Sequence, residues 1–210
     1  MRLTYLFDPL CGWCYGARPA LDKLAELDDV TLELLPTGLF ADRGARMMDA
    51  QFASYAWRND QRIAELTGQR FSDDYRTRIL GAGGPFDSTA ASFGLTAVHV
   101  TDPAREMTAL KELQLARYVL GQDIVSVTGV SELLQSMGLG DAAARLLSKD
   151  QEVVETHRRR VQVAQTLMRR HGLTGVPALL AGDGPTQKPL RGNGLFEPPF
   201  DNLLAQLSAA

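Results

Sequence analysis

Cysteine is scarce in this 210-residue chain, which has two cysteines, at positions 11 and 14. Two cysteines cannot build the multi-disulfide framework of a small secreted domain. Histidine is also rare, and the three present, His99, His157 and His171, lie far from the cysteines and form no close ligand pair. A closed metal centre of four Cys or His ligands is therefore not expected. No apolar run reaches the length of a membrane span.

The chain also lacks a large excess of positive or negative charge, since 22 basic residues and 25 acidic residues give a net charge of -3. This balance argues against a general nucleic-acid or membrane-binding surface. A hydrophobic content of 45% suits one globular unit with ample core. The segment Met1–Phe7 is too short for a signal peptide, and Asp8 and Pro9 interrupt it. We therefore expect a cytoplasmic protein, in a compartment where dithiols are mostly kept reduced.

What the sequence does contain is a Cys-x-x-Cys motif, Cys11-Gly12-Trp13-Cys14, between a short apolar stretch and a helical pattern that begins at Ala17. In the first helical turn, residues three apart face the same side, so the two sulfur atoms can form a disulfide. The N–H groups and dipole at a helix start favour the thiolate form of the first cysteine. We therefore expect Cys11 to be an exposed nucleophile and Cys14 a resolving thiol beneath it.

Hydrophobic patterning predicts strands over Arg2–Phe7 and Val30–Leu35, after which the pattern changes. From about residue 46 to residue 171, apolar residues recur mostly at helical spacing. A third strand is predicted after Pro177, and a terminal helix over Leu195–Leu207, entered through two prolines at 198 and 199. The segment between the second and third strands therefore makes up most of the molecule and is mostly helical.

Three features of the sequence resemble thioredoxin-like proteins, and in particular their DsbA-type branch. The first is the box Asp8-Pro9-Leu10-Cys11-Gly12-Trp13-Cys14-Tyr15-Gly16 after an N-terminal strand. The second is Gly175-Val176-Pro177-Ala178-Leu179-Leu180, similar to the segment in which these proteins place a cis-proline against the cysteines. The third is Pro19, at the spacing where the active-site helix is often kinked. The resemblance covers the whole chain.

The resemblance implies an α/β, thioredoxin-like fold with a large all-helical insertion, as in DsbA. Residues 1–45 and 149–210 would form a discontinuous thioredoxin-like domain, and residues 46–148 an inserted helical domain. Because this insertion has no predicted strand, we expect that it must pack on the thioredoxin-like part and cannot fold alone.

The resemblance further implies a thiol–disulfide oxidoreductase or isomerase that exchanges disulfides with protein or peptide substrates. The expected catalytic residues are Cys11 and Cys14, and the expected substrate-binding residues are Gly12, Trp13, Val176 and Pro177. No cofactor is expected besides the redox-active cysteine pair, with glutathione as a possible co-reductant. The expected partners are protein or peptide thiols and disulfides and a cytosolic reductant, without metal, nucleic acid or membrane.

Two other functions stay open at the level of the sequence. Kappa-type glutathione transferases and hydroxychromene-carboxylate isomerases also resemble DsbA with its helical insertion, but they usually carry a serine where Cys11 lies. The intact cysteine pair argues against this function. A non-catalytic, chaperone-like binding module that has kept the motif is the other alternative.

Charged residues outside the motif add further candidates. Thioredoxin-like proteins use a buried carboxylate beneath the resolving cysteine for proton transfer, and both Glu33 and Asp8 are candidates, although strand alternation equally allows an outward-facing Glu33. The basic residues of segments 157–160 and 169–171 make the last helix before Pro177 basic. We expect a solvated face with ion pairs to Glu152 and Glu155, in preference to a site for a glutathione carboxylate.

Overall fold

The chain runs through an N-terminal β-α-β segment, a long series of helices and a C-terminal hairpin followed by a helix. The computed structural model describes residues 1–196 and 201–208. The first part holds β1 (Arg2–Phe7), α1 (Gly12–Gly16), α2 (Arg18–Ala25) and β2 (Thr31–Pro36). The middle part holds β3 (Arg46–Met47), α3 (Ala50–Thr67), α4 (Asp73–Tyr75), β4 (Pro85–Phe86), α5 (Thr89–Thr101), α6 (Glu106–Tyr118), α7 (Val127–Ser136), α8 (Gly140–Leu147) and α9 (Gln151–Arg170). The last part holds β5 (Ala178–Ala181), β6 (Lys188–Pro189) and α10 (Asp201–Ser208).

A mixed sheet with the strand order β2-β1-β5-β6 lies at the centre of the fold. Strand β1 is parallel to β2 and antiparallel to β5, and β6 pairs antiparallel with β5. Both faces of β1 are covered, since Tyr5 and Phe7 point into the main core while Leu6 packs with Ala164 of α9 on the other face. This two-sided burial explains why β1 carries consecutive apolar residues from Tyr5 to Phe7.

The active-site helix is interrupted, as the position of Pro19 predicts. Helix α1 ends at Gly16 and α2 begins at Arg18, with Pro19 in the first turn of α2. A proline has no backbone N–H to donate, so it is tolerated at a helix start and breaks a helix interior. The loop before α1 is held by the buried Asp8, whose carboxylate accepts the N–H of Leu10 at 3.0 Å.

The expectation of an all-helical insertion is wrong in one detail. Strands β3 and β4 pair antiparallel through Arg46–Phe86 and Met47–Pro85, outside the main sheet. This ribbon closes the chain around α3 and α4, and the N–H of Met48 extends it by donating to the carbonyl of Gly84 at 2.8 Å. Two-residue strands are too short to show a period of two, so sequence patterning cannot reveal them.

The basic helix α9 is not simply a solvated face, which corrects a second expectation. Arg160 is buried, forms an ion pair with Glu106 of α6, and donates to the carbonyl of Leu34 at 2.6 Å. Glu152 instead pairs with Arg145, and Glu155 accepts from Gln151. The buried arginine thus ties α9 to both α6 and the sheet.

The C-terminal helix differs from its predicted range. Leu195 lies in a short 3-10 turn, Gly192–Leu195, and the described part of α10 is Asp201–Ser208. The two prolines expected at the helix entry, Pro198 and Pro199, lie outside the described residues. No helix within residues 1–196 and 201–208 combines the length and apolarity needed to cross a membrane.

Candidate active site

The two cysteines lie at the start of α1, one turn apart, as the motif predicts. Cys11 has extended backbone angles, φ -82° and ψ 118°, and occupies the N-cap position, while Cys14 lies inside the helix. Both cysteines are free thiols. Cys14 is 1% exposed, but Cys11 is only 6% exposed, so the expectation of a freely exposed Cys11 is wrong. Side chains and a loop distant in the sequence cover it, and these could not be located from the motif.

The loop that covers Cys11 precedes β5. The Val176–Pro177 peptide bond is cis, which confirms the expectation from the sequence. The Sγ of Cys11 lies 3.6 Å from the carbonyl oxygen of Val176, 165 residues away in the chain. Strand β5 pairs antiparallel with β1, so the start of β5 lies beside the end of β1. Val176, which lies just before β5, therefore contacts Cys11, which follows β1 after a short loop. Four of the predicted residues, Cys11, Cys14, Val176 and Pro177, are therefore brought to one end of the sheet.

Cys14 is held as a neutral thiol. Burial raises the pKa of its thiol well above the usual value, and the neighbouring Cys11 raises it further. Asp8 is also buried, and desolvation raises the pKa of its carboxyl group, while hydrogen bonds from Phe40, Leu10 and Ser88 oppose this effect. Both carboxylate oxygens of Asp8 are engaged, with Leu10 on Oδ1 and with Phe40 and Ser88 on Oδ2. Asp8 thus has a structural role in fixing the loop before α1.

The other candidate residues are distributed differently. Glu33 forms an ion pair with Arg2 at 2.9 Å and a hydrogen bond with Thr4, and both partners lie on the neighbouring strand β1. Trp13 is half-buried, with its ring 5.0 Å from that of Phe196 in an edge-to-face contact. The second residue of the motif, Gly12, packs against α3. Thus Trp13 and Gly12 lie at the site, whereas Glu33 is turned toward Arg2.

A cleft beside Cys11 has a volume of about 210 Å³ and is mainly apolar. Asp60 of α3 is one of its polar lining residues, and its carboxylate reaches the motif because Gly12 has no side chain. A Cβ atom placed on Gly12 would lie 2.5 Å from Asp60 Oδ1. One turn further along, a Cβ on Gly16 would lie 2.5 Å from a methyl group of Ile63. The two glycines therefore allow α1 and α3 to approach closely and bring Asp60 to the site.

Sequence reasoning missed Asp60 and its surroundings. Its side chain is 4% exposed, and burial raises the pKa of the carboxyl group to about 7, while the hydrogen bond from Tyr75 and the charge of Arg117 act in the opposite direction. The Tyr75 hydroxyl donates to Asp60 Oδ2 at 2.9 Å. A signal was present, since Asp60 interrupts the apolar stripe of α3 between Ala56 and Ile63 at helical spacing.

The fold and this site define a class: thioredoxin-fold proteins with a Cys-x-x-Cys pair at the first helix and a helical insertion. A model of the DSBA-like thioredoxin domain matches residues 2–200, and the chain belongs to this family. It is a family of thiol–disulfide oxidoreductases.

Solved structures agree with this assignment. The chain is similar to the cytosolic disulfide reductase DsbM from Pseudomonas aeruginosa, at 30% identity and a TM-score of 0.85, with 100% of each chain covered. A second structure of that protein, with glutathione (GSH), matches equally well, covering 99% of this chain and 100% of that one. No curated protein matches the sequence.

Two more distant structures show likeness of fold alone. One is a candidate protein disulfide isomerase from Nitrosomonas europaea, at 20% identity and a TM-score of 0.79, covering 99% of this chain and 96% of that one. The other is a 2-hydroxychromene-2-carboxylate isomerase, at 16% identity and a TM-score of 0.65, with the same coverage. The helical insertion is therefore shared by proteins with different chemistry, and the site has to discriminate between them.

Proposed function

We propose that this protein is a disulfide reductase that acts on protein or peptide disulfides, with Cys11 as the nucleophile and Cys14 as the resolving thiol. The observation that carries the proposal is the placement of Cys11, at the N-cap of α1, in the cleft and against the Val176 carbonyl, with Cys14 buried one turn further. Disulfides are attacked by the thiolate form of a cysteine, and of the two cysteines it is Cys11 that lines the cleft.

The reaction has two exchange steps. The Cys11 thiolate attacks one sulfur of the substrate, forming a mixed disulfide and expelling the other sulfur as a thiolate. Cys14 then loses its proton and attacks the Cys11 sulfur, which forms the Cys11–Cys14 disulfide and releases the second substrate sulfur. Each of the two expelled substrate sulfurs takes up a proton, so the substrate leaves with two thiols and the enzyme holds the oxidised pair. Because burial raises the pKa of Cys14, it stays protonated until the mixed disulfide has formed.

The residues around Cys11 would hold the substrate. The backbone of Val176 lies beside the Cys11 sulfur, where an extended peptide can pair with it as an added strand. Pro177 follows without an N–H group of its own, and Gly12 lines the cleft beside Cys11. Trp13, half-buried against Phe196, would offer an apolar platform to the residues next to the substrate cysteine.

We propose that glutathione is the co-reductant and that the protein works in the cytoplasm. Regenerating the dithiol needs two electrons, which two glutathione thiols supply while becoming glutathione disulfide. Support comes from the similarity to DsbM, which is described as a cytosolic disulfide reductase and has a solved structure with GSH. The intact Cys11–Cys14 pair favours reduction over the transferase and isomerase chemistry of the serine-containing relatives of the fold.

Trapping tests this proposal. In a Cys14→Ala variant the mixed disulfide cannot be resolved from within, so expression in cells should accumulate peptides or glutathione linked to Cys11, which dithiothreitol releases. The matched control is the variant that also carries Cys11→Ala, which should trap nothing. With a disulfide-bonded peptide and glutathione, the wild-type protein should turn over and the Cys11→Ala variant should not. Turnover by the double variant equal to that of the wild type would refute the proposal, whereas a wild type that neither traps nor turns over a disulfide would favour a binding module.

A further inference from the structure

We propose that Asp60 is the general acid of the exchange reaction and protonates the thiolate expelled when Cys11 attacks a disulfide. The inference rests on the proposed function, because it assigns a role within that chemistry. It starts from a buried carboxyl group that lines the same cleft as Cys11 and that the cysteine mechanism leaves without a task.

The position of Asp60 is built by the packing of α1 on α3. Gly12 and Gly16 lie on the side of α1 that faces α3, and Asp60 and Ile63 fill the space that side chains there would occupy. This places Asp60 Oδ1 against the backbone of the residue that directly follows Cys11. Cys11 and Asp60 line the same cleft, so a leaving sulfur that departs into this cleft comes within reach of the Asp60 carboxyl group.

The two oxygens of Asp60 are in different situations. Oδ2 accepts the hydroxyl of Tyr75 at 2.9 Å. For Oδ1, the described part of the chain provides no hydrogen-bond donor. A proton on Oδ1 would therefore be available to a ligand in the cleft. Asp8 differs from Asp60, because both of its carboxylate oxygens accept hydrogen bonds. The donors are the backbone N–H groups of Leu10 and Phe40 and the hydroxyl of Ser88, the N-cap residue of α5.

The groups around Asp60 set the pKa of its carboxyl group near neutral pH, so that it can donate a proton there. The titratable and charged groups that face it are Tyr75 from α4, Arg117 and Tyr118 from α6, and Cys11 ahead of α1. Burial raises the pKa values of both tyrosines well above their usual range, so both phenols stay neutral. Burial also raises the pKa of Asp60 to about 7, and Arg117 limits that rise. A general acid works best when its pKa lies near the working pH.

The step is balanced without a further reagent. The Cys11 thiolate forms a bond to one substrate sulfur, and the bond between the two substrate sulfurs breaks with its electron pair on the leaving sulfur. The leaving thiolate takes the proton from Asp60 and departs as a thiol, and Asp60 is left as a carboxylate. Water then returns a proton to Asp60 before the next turnover.

The test uses two disulfides that differ in their need for an acid. Hydroxyethyl disulfide expels an alkyl thiolate, which is a poor leaving group, whereas dipyridyl disulfide expels a stabilised aromatic thiolate. Both need the Cys11 thiolate, so the ratio of the two single-turnover rates cancels the ionisation of Cys11. At about pH 6 we expect Asp60→Asn to slow the alkyl reaction by about 10-fold or more and to leave the aromatic reaction within about 2-fold. Asp28→Asn, an exposed carboxylate-to-amide change, is the matched control and should alter neither rate.

The pH profile gives a second readout. In the wild type the ratio of alkyl to aromatic rate should fall as the pH rises through about 7, where Asp60 loses its proton. Tyr75→Phe removes a hydrogen bond that lowers the pKa of Asp60, so the fall should move to higher pH. This variant also serves if Asp60→Asn does not fold. An unchanged profile in Tyr75→Phe, or equal losses on both disulfides in Asp60→Asn, would overturn the role of Asp60.

The failures of the two proposals are distinguishable. If the wild-type protein reacts with neither disulfide, the proposed function falls and the role of Asp60 falls with it. If the wild type reacts, a Cys11→Ser variant does not, and Asp60→Asn shows no selective loss on the alkyl disulfide, only the role of Asp60 falls.

Discussion

Replacing Asp60 by Asn should remove a pH-dependent loss of stability. The carboxyl group has a pKa of about 7 in the folded protein, against an ordinary value of 3.8, because it is buried. The folded state therefore holds a proton that the unfolded chain has already released, and stability falls as the pH rises through this window. The loss begins near the ordinary value, grows up to about pH 7 and is constant above it. Asn cannot ionise, and its side-chain oxygen can still accept from Tyr75.

The size of the effect follows from the two pKa values. Fully developed, the difference between about 7 and 3.8 corresponds to roughly 4 kcal/mol. Between about pH 5 and about pH 8, roughly 2 to 3 kcal/mol of this develops. The free energy of unfolding of Asp60→Asn minus that of the wild type should therefore increase by this amount over the same pH range. All other titrating groups, including the buried Asp8, cancel in the difference.

Urea denaturation at several pH values measures this difference. The exposed Asp28→Asn variant is the control, and its difference from the wild type should stay constant with pH. A constant difference for Asp60→Asn as well would mean that Asp60 is already ionised in the folded protein at neutral pH. That result would contradict the burial of a neutral carboxyl group and, with it, the supply of a proton to the leaving thiolate.

Three further predictions concern other parts of the molecule. In the native protein, iodoacetamide followed by peptide mapping should label Cys11 and spare Cys14, which is buried and has a raised pKa; preferential labelling of Cys14 would reverse their roles. Arg160→Met should lower the free energy of unfolding in urea by about 3 to 5 kcal/mol, because it removes the buried cation that pairs with Glu106 and leaves that carboxylate with His99 as its remaining partner; adding Glu106→Leu should restore part of that loss, and equal stability of single variant and wild type would contradict the burial of the pair. We also propose that the segment 46–148 does not fold alone, so that its isolated form should show poor amide proton dispersion; a cooperative thermal transition would disprove this.

Much of the site could be predicted because its signals are local. The Cys-x-x-Cys motif needs only a strand, a turn and a helix start, all of which lie within residues 2–16. The break at Pro19 follows from the missing N–H of one residue. The location of Val176 and Pro177 beside Cys11 is a long-range feature, and it was predicted from the resemblance to a family, since no spacing rule connects residues 165 apart.

Other features could not be predicted because they depend on which side of an element meets which neighbour. Alternation along β2 allowed Glu33 to face either way, and only the register with β1 placed it beside Arg2 and Thr4. The basic composition of α9 suggested a solvated face, but Arg160 lies on the side that packs against α6 and the sheet.

The sequence by itself determined the elements whose causes lie within a few residues: the apolar strand β1, the cysteine pair at a helix start and the kink at Pro19. The tertiary structure alone decided the electrostatics of the site. The pKa of Asp60 is raised by its burial, where it contacts Gly12 of α1 and Tyr75 of α4, and the pKa of Cys14 is raised by burial and by the neighbouring Cys11. Desolvation arises only when segments distant in the chain pack together, so an aspartate in an apolar stripe becomes a candidate acid only once α3 lies against Gly12.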